Sequence, residues 1–249
     1  MSRTYRVTGI NLKAAPMGER DRLLTILTRE QGVLRAVAGG ARQHQSRMAG
    51  RSGLFVVNDL QLARGRSLDR ITQVETIATF GGLSQNLARL TAAQYLAELT
   101  LGQAITAQPQ EELFVLLVEH LQRLEGCTPG EVLPALVQGM YHLLAIAGVA
   151  PQVFQCCVRR VRIAPDSALV GFSVAHGGVV LDIPTLPPSP ILCAEDIAAL
   201  QELPQSKPPQ WGRSQRCWLR VEKLLRAYAE YHLDKSLHSA TLIDSCFQI

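Results

Sequence analysis

The sequence predicts an α+β protein in which a five-stranded β-barrel is followed by an α-helical bundle. Strand-like runs separated by short turns fill residues 1–80. Beyond residue 80 the apolar residues recur every three or four positions, as on one face of a helix. Charge divides at the same place: residues 1–80 hold 13 Lys and Arg against 6 Asp and Glu, and the other 169 residues hold 12 against 15. We therefore expect a basic domain over 1–80 and a mildly acidic domain over 81–249.

The barrel prediction depends on five runs of apolar and β-branched residues with turn signals between them. Gln31 and Gly32 form one turn, and Gly65, Arg66 and Ser67 form another. The strands are predicted over residues 4–14, 23–28, 33–40, 53–65 and 69–80. Five strands in about 80 residues match a small Greek-key barrel of the oligonucleotide/oligosaccharide-binding (OB) type.

The second domain is predicted to be helical on both sides of a short β insertion. The helices are expected over residues 83–106, 110–125, 131–148, 196–203 and 214–235. Gly126 and Gly148 stand where two of them should end. The insertion covers residues 152–190. Its predicted strands cover 156–163 and 171–183, and a proline-rich loop over 184–193 leads out of it.

Composition excludes several classes of protein. Hydrophobic residues make up 47% of the chain and the mean hydropathy is +0.09, so the chain can bury a core and is not disordered. No apolar run reaches the roughly 18 residues needed to span a bilayer. The amino-terminal residues lack the apolar core of a signal peptide, and six cysteines are too few for a disulfide scaffold in 249 residues. We expect a cytoplasmic protein with reduced thiols.

The loop after the third predicted strand is the strongest candidate for a binding site. That strand ends in Gly39 and Gly40, and Arg42, Arg47 and Arg51 follow in a loop without an acidic residue. Guanidinium groups match phosphate geometry with two hydrogen bonds, and glycine lets a backbone approach a ligand closely. Two interpretations stay open here: an anion-binding surface, or a solvated and flexible hairpin loop.

Further arginines extend this basic character over the third to fifth strands. The candidate nucleic-acid-binding residues are Arg35, Arg42, Arg47, Arg51, Arg64 and Arg66, with Arg70 beside them. Aromatic residues, on which bases stack, are few in residues 1–80: Tyr5, Phe55 and Phe80, of which Phe55 is expected to fill the barrel. We therefore expect binding through phosphates, independent of sequence and weakened by salt. About four such contacts would give a log–log salt slope of about −3 on single strands.

Motifs of catalysis are missing from the sequence. It holds no G-x-S-x-G, H-E-x-x-H, G-x-x-x-x-G-K-[ST] or G-x-G-x-x-G pattern. Glu19 and Asp21 lie in a turn beside Arg20 and Arg22 and are interpreted as surface ion pairs. His44, within the arginine-rich loop, is interpreted as a solvated polar residue. The sequence therefore gives no positive support for an enzyme.

Metal binding has weak candidates only. Cys156 and Cys157 are adjacent, which is a poor arrangement for two zinc ligands, and the other cysteines stand singly. We interpret the cysteines as buried or idle thiols, with a zinc site as the minor alternative. No cofactor is expected.

Two segments of the sequence resemble the RecO family of bacterial recombination mediators. The first, GERDRLLTILTREQGVLRAVAGGARQHQSRMAG, covers residues 18–50 and is similar to the family's second and third strands with the basic loop after them. The second, VFQCC at residues 153–157, follows a helix that ends in AIAGVAP. The order of the predicted parts is also similar: a basic OB-like barrel, a helical bundle, an inserted finger-like segment and a terminal helix. The resemblance therefore extends over nearly the whole chain.

The resemblance implies a cytoplasmic, nucleoid-associated DNA-repair protein without enzymatic activity. Such a protein would bind single- and double-stranded DNA, anneal complementary strands, work with RecR and help to load RecA onto strands coated by single-strand binding protein. Many members carry two C-x-x-C pairs that form a zinc finger. Here Cys156 and Cys157 stand at the first pair, Gly177 and Gly178 match the central glycines, and the segment VVLDIPTLPP that follows has no cysteine. The implied finger is degenerate and metal-free.

Three other functions remain open on the residues alone. A generic OB protein that binds single-stranded DNA or RNA explains the barrel but not the 169 residues after it. A protein-interaction scaffold fits the acidic helical part. An enzyme with an unrecognised site is the third, and no residue supports it.

Overall fold

Two compact units make up the protein. The computed structural model describes residues 4–181, 190–209 and 212–247. The first unit comprises Met1–Gln85 with Gln103–Leu121, and the second comprises Asn86–Gly102 with Gln122–Ile249. The first unit thus includes the helical segment Gln103–Leu121, which the predicted boundary at residue 80 assigns to the second domain. The domain boundary itself stays a prediction.

The first unit contains a closed five-stranded barrel, which confirms the predicted fold class. Its strands are β1 (Thr4–Met17), β2 (Asp21–Thr28), β3 (Gly32–Ala38), β4 (Val56–Ala63) and β5 (Asp69–Thr79). The strand order is β1-β2-β3-β5-β4, and all pairs are antiparallel except β3 with β5. This arrangement is the Greek-key barrel of the OB fold.

Strand β1 closes the barrel because it pairs with two neighbours. Its first half pairs with β4 and its second half with β2, and a shift of register between Asn11 and Lys13 lets it bend between them. Alternate residues point inward and form the core of the barrel. Its buried members are Val7, Leu24, Ile26, Ala36, Ala38, Ala41, Leu60, Leu62 and Ile71. Phe55 is buried, as expected.

A short helix lies between β3 and β4, where the sequence predicted only a loop. Helix α1 covers Arg47–Arg51, and the side chain of Ser46 caps it by accepting a hydrogen bond from the backbone N of Met48. Five residues give too few turns for an apolar period to show in the sequence, which explains the difference.

Six further α-helices follow in the described part of the chain, and five of them match predicted helices. They are α2 (Leu87–Gln103), α3 (Glu111–Gly126), α4 (Val132–Ile146), α5 (Ala194–Glu202), α6 (Gln215–Leu233) and α7 (Ala240–Cys246), of which α7 was not predicted. Helix α6 packs against α4 and α5 within the second unit. Among the residues described, none of the helices has the length and apolar character needed to cross a bilayer.

The β insertion differs in detail from its prediction. The predicted strand over 171–183 is a whole hairpin, made of β6 (Val170–Ser173) and β7 (Gly178–Leu181). Gly177 and Gly178 turn it with positive φ angles of 84° and 147°, and a Cβ on Gly178 would lie 2.2 Å from the backbone O of Gln152. The predicted strand over 156–163 makes only one isolated bridge. Most of the proline-rich loop lies outside the described residues.

Candidate nucleic-acid interface

Three segments of the first unit meet at one end of the barrel and bring arginines together. The backbone N of Arg42 donates to the backbone O of Arg20 at 2.9 Å, which joins the loop after β3 to the β1–β2 turn. The guanidinium of Arg70, at the start of β5, lies 3.6 Å from the carboxylate of Asp21. We call Arg20, Arg42 and Arg70 the arginine rim. Their side chains are exposed.

Hydrogen bonds hold the arginine-rich loop on the barrel. Asp21 Oδ1 accepts from the backbone N of Gly40 at 2.8 Å, and Arg42 Nη1 donates to the backbone O of Gly18 at 2.6 Å. Arg22 Nη1 donates to the backbone O of Ala49 at 3.2 Å, farther along the segment. Of the two interpretations open on the sequence, the structure therefore favours a preorganised surface over a flexible hairpin loop.

The two glycines that end β3 allow this close approach. Gly40 has a φ of +67°, in the left-handed region that favours glycine. A Cβ on Gly39 would lie 2.8 Å from Nη2 of Arg70, so a side chain there would displace the guanidinium. The glycine pair thus lets β5 present Arg70 beside the loop.

Five of the six predicted binding residues are exposed: Arg35, Arg42, Arg47, Arg64 and Arg66. Arg35 pairs with Thr25 of β2 on the outside of the barrel, and Arg47 begins α1. Arg64 and Arg66 belong to the turn between β4 and β5, which leads directly into the strand that carries Arg70. The predicted residues thus occupy neighbouring segments, and their role in binding remains a prediction.

Arg51, the sixth, has a structural contact that the sequence did not reveal. Its half-buried guanidinium donates from Nη1 to the backbone O of Val74 in β5 at 2.9 Å. Its backbone O accepts from the side-chain amides of Asn11 and Asn58 at 2.9 and 3.0 Å. Arg51 therefore joins α1 to three strands, and its guanidinium is committed to the barrel.

The aromatic residues of the barrel are not open stacking surfaces. The guanidinium carbon of Arg64 lies 5.1 Å from the centroid of the Tyr5 ring and covers it in a cation–π contact. The hydroxyl of Tyr5 donates to Asp69; burial and this carboxylate both raise the pKa of Tyr5. Phe55 and Phe80 are buried. None of the three rings is therefore an open platform for a base.

Sequence reasoning did not assign Arg20 to the site, and it named Arg70 only beside the candidate residues. The turn was interpreted as local ion pairs of Glu19 and Asp21 with their neighbours in sequence. Instead Asp21 engages Gly40 and Arg70, and Arg20 makes no ion pair among the described residues. The parallel pairing of β3 with β5 creates this arrangement, and no local sequence signal announces it.

In the finger-like insertion of the second unit, hydrogen bonds to the sulfur of Cys156 stabilise the turn around it. The Sγ of buried Cys156 accepts from the backbone N of Arg159 and of Leu181, each at 3.3 Å. Burial alone would raise the pKa of Cys156, but these N–H groups and the charge of Arg159 lower it. Burial raises the pKa of its neighbour Cys157.

The described residues do not bring together the ligands of a structural zinc site. Such a site needs four Cys or His ligands around the metal. Within the described part of the chain, no group of three or more His, Cys, Asp or Glu is arranged to hold a metal ion. That the protein lacks zinc remains a prediction.

The closed barrel with its rim of guanidinium groups, joined to a helical unit, defines the class as OB-fold nucleic-acid-binding proteins. The family models described as Recombination protein O N terminal and Recombination protein O C terminal match residues 1–80 and 84–241. The chain belongs to this family, RecO, which confirms the resemblance found in the sequence. Its function is accordingly in DNA repair and homologous recombination.

Curated relatives carry the name DNA repair protein RecO. The protein of Gloeobacter violaceus is 49% identical over 250 residues, which span 99% of this chain and 95% of the relative. That of Acaryochloris marina is 47% identical over 282 residues, with 99% and 96% covered. That of Nostoc sp. is 46% identical over 288 residues, with 99% and 97% covered.

Proposed function

We propose that this protein binds single- and double-stranded DNA through its phosphates at the arginine rim and anneals complementary strands. The observation that carries the proposal is the convergence of Arg20, Arg42 and Arg70 from three segments on one end of the barrel. Guanidinium groups bind phosphate oxygens in pairs of hydrogen bonds, and phosphates are common to every DNA sequence. The loops at this end are also those with which OB barrels bind oligonucleotides.

We further infer that the protein acts as a mediator that works by binding alone. Two carboxylates beside the rim are engaged, since Asp21 faces Arg70 and Asp69 accepts from the backbone N of Gly65 at 3.0 Å. They support the arginines rather than offer a general base. Membership of the family supports RecR as a partner, and the loading of RecA onto strands coated by single-strand binding protein.

The rim assignment is tested by reversing its charge. We expect the triple variant Arg20→Glu, Arg42→Glu, Arg47→Glu, which changes two rim arginines and the exposed Arg47 at the start of α1 and spares the ion pair of Arg70 with Asp21, to bind a labelled single strand roughly 100-fold more weakly at about 50 mM salt, because phosphate contacts supply nonspecific affinity. Fluorescence anisotropy measures the affinity. The log–log salt slope should become shallower by about 2, at roughly 0.7 per lost contact.

A matched control distinguishes the loss of rim contacts from the change in net charge. Lys207→Glu, Arg216→Glu, Lys235→Glu changes the charge by the same amount at exposed positions of the second unit. This control should bind DNA as the wild type does, and both variants should keep the wild-type melting temperature. A rim variant with unchanged affinity would contradict the assignment.

Strand annealing on coated DNA separates a mediator from a generic single-strand binder. With complementary strands covered by single-strand binding protein, a mediator should still raise the annealing rate. A generic OB binder would act on bare strands only, and that result would favour the alternative function. Elemental analysis of the same preparation tests the metal-free finger: one zinc per chain would contradict it.

A further inference from the structure

A turn in the second unit exposes three arginines within four residues. Arg159, Arg160 and Arg162 are exposed, and none of them forms an ion pair among the described residues. Residues 81–249 hold fewer basic than acidic residues, so this turn stands out against its own domain. Unneutralised guanidinium groups in such a cluster are complementary to a polyanion.

The same turn exposes an aromatic ring. Phe154 is 44% exposed, whereas the other five phenylalanines of the chain are buried. Val158 and Val161 are 43% and 46% exposed beside the arginines. An exposed aromatic ring among arginines is the combination with which proteins bind single strands, since bases stack on the ring while the guanidinium groups meet the phosphates.

The backbone fixes the shape of the turn. The backbone N of Cys156 donates to the O of Val161 at 2.8 Å, and the N of Arg160 donates to the O of Cys156 at 2.9 Å. Gln155 Nε2 donates to the O of Arg160 at 2.7 Å. Arg160 has a φ of 60°, which is uncommon for a residue with a side chain. These contacts present the guanidinium groups from a preorganised turn, which lowers the entropy lost on binding.

We propose that residues 154–162 form a second binding surface for single-stranded DNA, separate from the arginine rim. Phe154 stacks on an unpaired base, and Arg159, Arg160 and Arg162 bind the adjoining phosphates. The proposal rests on the proposed function at the rim and extends it: one chain has a surface for each of two strands. Annealing needs two strands to meet, and a chain that holds both raises the local concentration of each for the other.

Variants of this turn, which we call the finger variants, test the proposal. We expect Arg159→Glu, Arg160→Glu, Arg162→Glu to bind one single strand at the rim as the wild type does, but to lose the second strand per chain. Stoichiometric titration with a short oligonucleotide measures this. Annealing of bare complementary strands should slow at least tenfold. The triple variant at Lys207, Arg216 and Lys235 carries the same change of charge and should anneal normally.

Phe154→Ala tests stacking without changing charge. We expect the weaker of the two sites to lose affinity about five- to 100-fold, as is found when a base loses its aromatic platform, while Phe154→Tyr retains it. Photocrosslinking of the full-length protein to an oligonucleotide with 5-iodouracil should label Phe154. Should the triple variant fail to fold, Phe154→Ala and the crosslink still decide the question.

The outcomes distinguish this proposal from the assignment of the rim. If rim variants bind normally, the proposed function fails; if they lose binding while finger variants keep two strands and full annealing, only this proposal fails. Finger variants that anneal normally but no longer bind an acidic protein such as single-strand binding protein would assign the turn to that protein and overturn the proposal.

Discussion

Arg51 and Arg42 show that two arginines of one segment have different surroundings. Arg42 is exposed, and among the described residues its guanidinium donates to the backbone O of Gly18. Arg51 is half-buried and donates to the backbone O of Val74. In the sequence they belong to one segment: Arg42 lies five positions before Arg47, and Arg51 lies four positions after it. Only the folded barrel separates a residue of the exposed face from one that supports the fold.

We therefore expect Arg51→Ala to lower the stability of the protein and to leave DNA binding nearly unchanged. The loss should be about 1–3 kcal/mol in the free energy of unfolding, because Val74 loses a charged donor. Urea denaturation measures it, and anisotropy at the same salt should show an affinity within about threefold of the wild type. Arg42→Ala should behave in the opposite way. A strong loss of affinity with unchanged stability in Arg51→Ala would refute this division.

At the scale of single residues, the sequence identifies candidates but not their partners. Its candidates Arg35, Arg42 and Arg47 are exposed, because polar turns and outward strand positions are local features, and their role in binding stays a prediction. It did not indicate that Asp21 faces Arg70, since that contact depends on the parallel pairing of β3 with β5. Residues brought together by strand pairing across the barrel carry no local signature.

Helices α2, α6 and α7 of the second unit share a buried ion network. Glu222 is fully buried, accepts from the hydroxyl of Tyr95 at 3.0 Å and pairs with Arg226 at 2.8 Å. Burial raises the pKa of Glu222 despite these partners. Arg226 also reaches Asp244 of α7 at 2.9 Å. The network attaches the short α7, which the sequence did not reveal, to the long α6.

The ion pair at α7 gives a testable dependence on pH. The hydrogen bond from Arg226 holds the pKa of Asp244 below its usual value of about 3.9. A carboxylate with a lowered folded pKa adds stability above its unfolded pKa, and the protein loses it as pH falls through the folded value. Wild type should therefore exceed Asp244→Asn in free energy of unfolding by about 0.2–1 kcal/mol at pH 6, because the pair is partly exposed.

The measurement is urea denaturation of both proteins at a series of pH values. The difference between them should be constant above about pH 5 and shrink below about pH 4, where Asp244 becomes protonated in the unfolded chain first. A difference that persists unchanged to pH 3 would show that packing, rather than charge, accounts for the effect of Asp244.

At the scale of elements, periodicity predicted the strands and the long helices well. Each of those repeats its apolar residues several times. Helices α1 and α7, with five and seven residues, complete only one or two turns, so no repeat can be recognised. The β6–β7 hairpin is predicted as one strand, because the apolar residues on both sides of Gly177 and Gly178 read as one run.

The first unit is larger than the basic segment that the sequence marked out. The backbone N of Val33 donates to the O of Ile105 at 3.1 Å, and the N of Gln110 donates to the O of Arg29 at 2.8 Å. The guanidinium of Arg29 lies 5.0 Å from the ring centroid of Phe114. Charge and turn signals could not predict these contacts, which join the barrel to residues distant in the chain.

A fragment of residues 1–80 should accordingly be less stable than one of residues 1–125. Two backbone hydrogen bonds and a cation–π contact, at about 1 kcal/mol each, are lost in the shorter fragment. That loss corresponds to a melting temperature lower by roughly 10 °C or more. Amide hydrogen exchange at Val33 should be slow in the longer fragment and fast in the shorter. Equal melting temperatures would show that residues 103–121 contribute nothing to the barrel.

The hydrogen bonds to the sulfur of Cys156 bear on the conditions under which the protein can fold. The sulfur accepts hydrogen bonds from two peptide N–H groups, and these bonds stabilise the turn around it without a metal ion. Metallodomains depend for their folding on the supply of their metal and melt in a chelator. We predict that the protein binds no zinc, so the turn that carries Phe154 should fold independently of that supply. On this prediction, a cell starved of zinc would still contain this repair protein in its folded form.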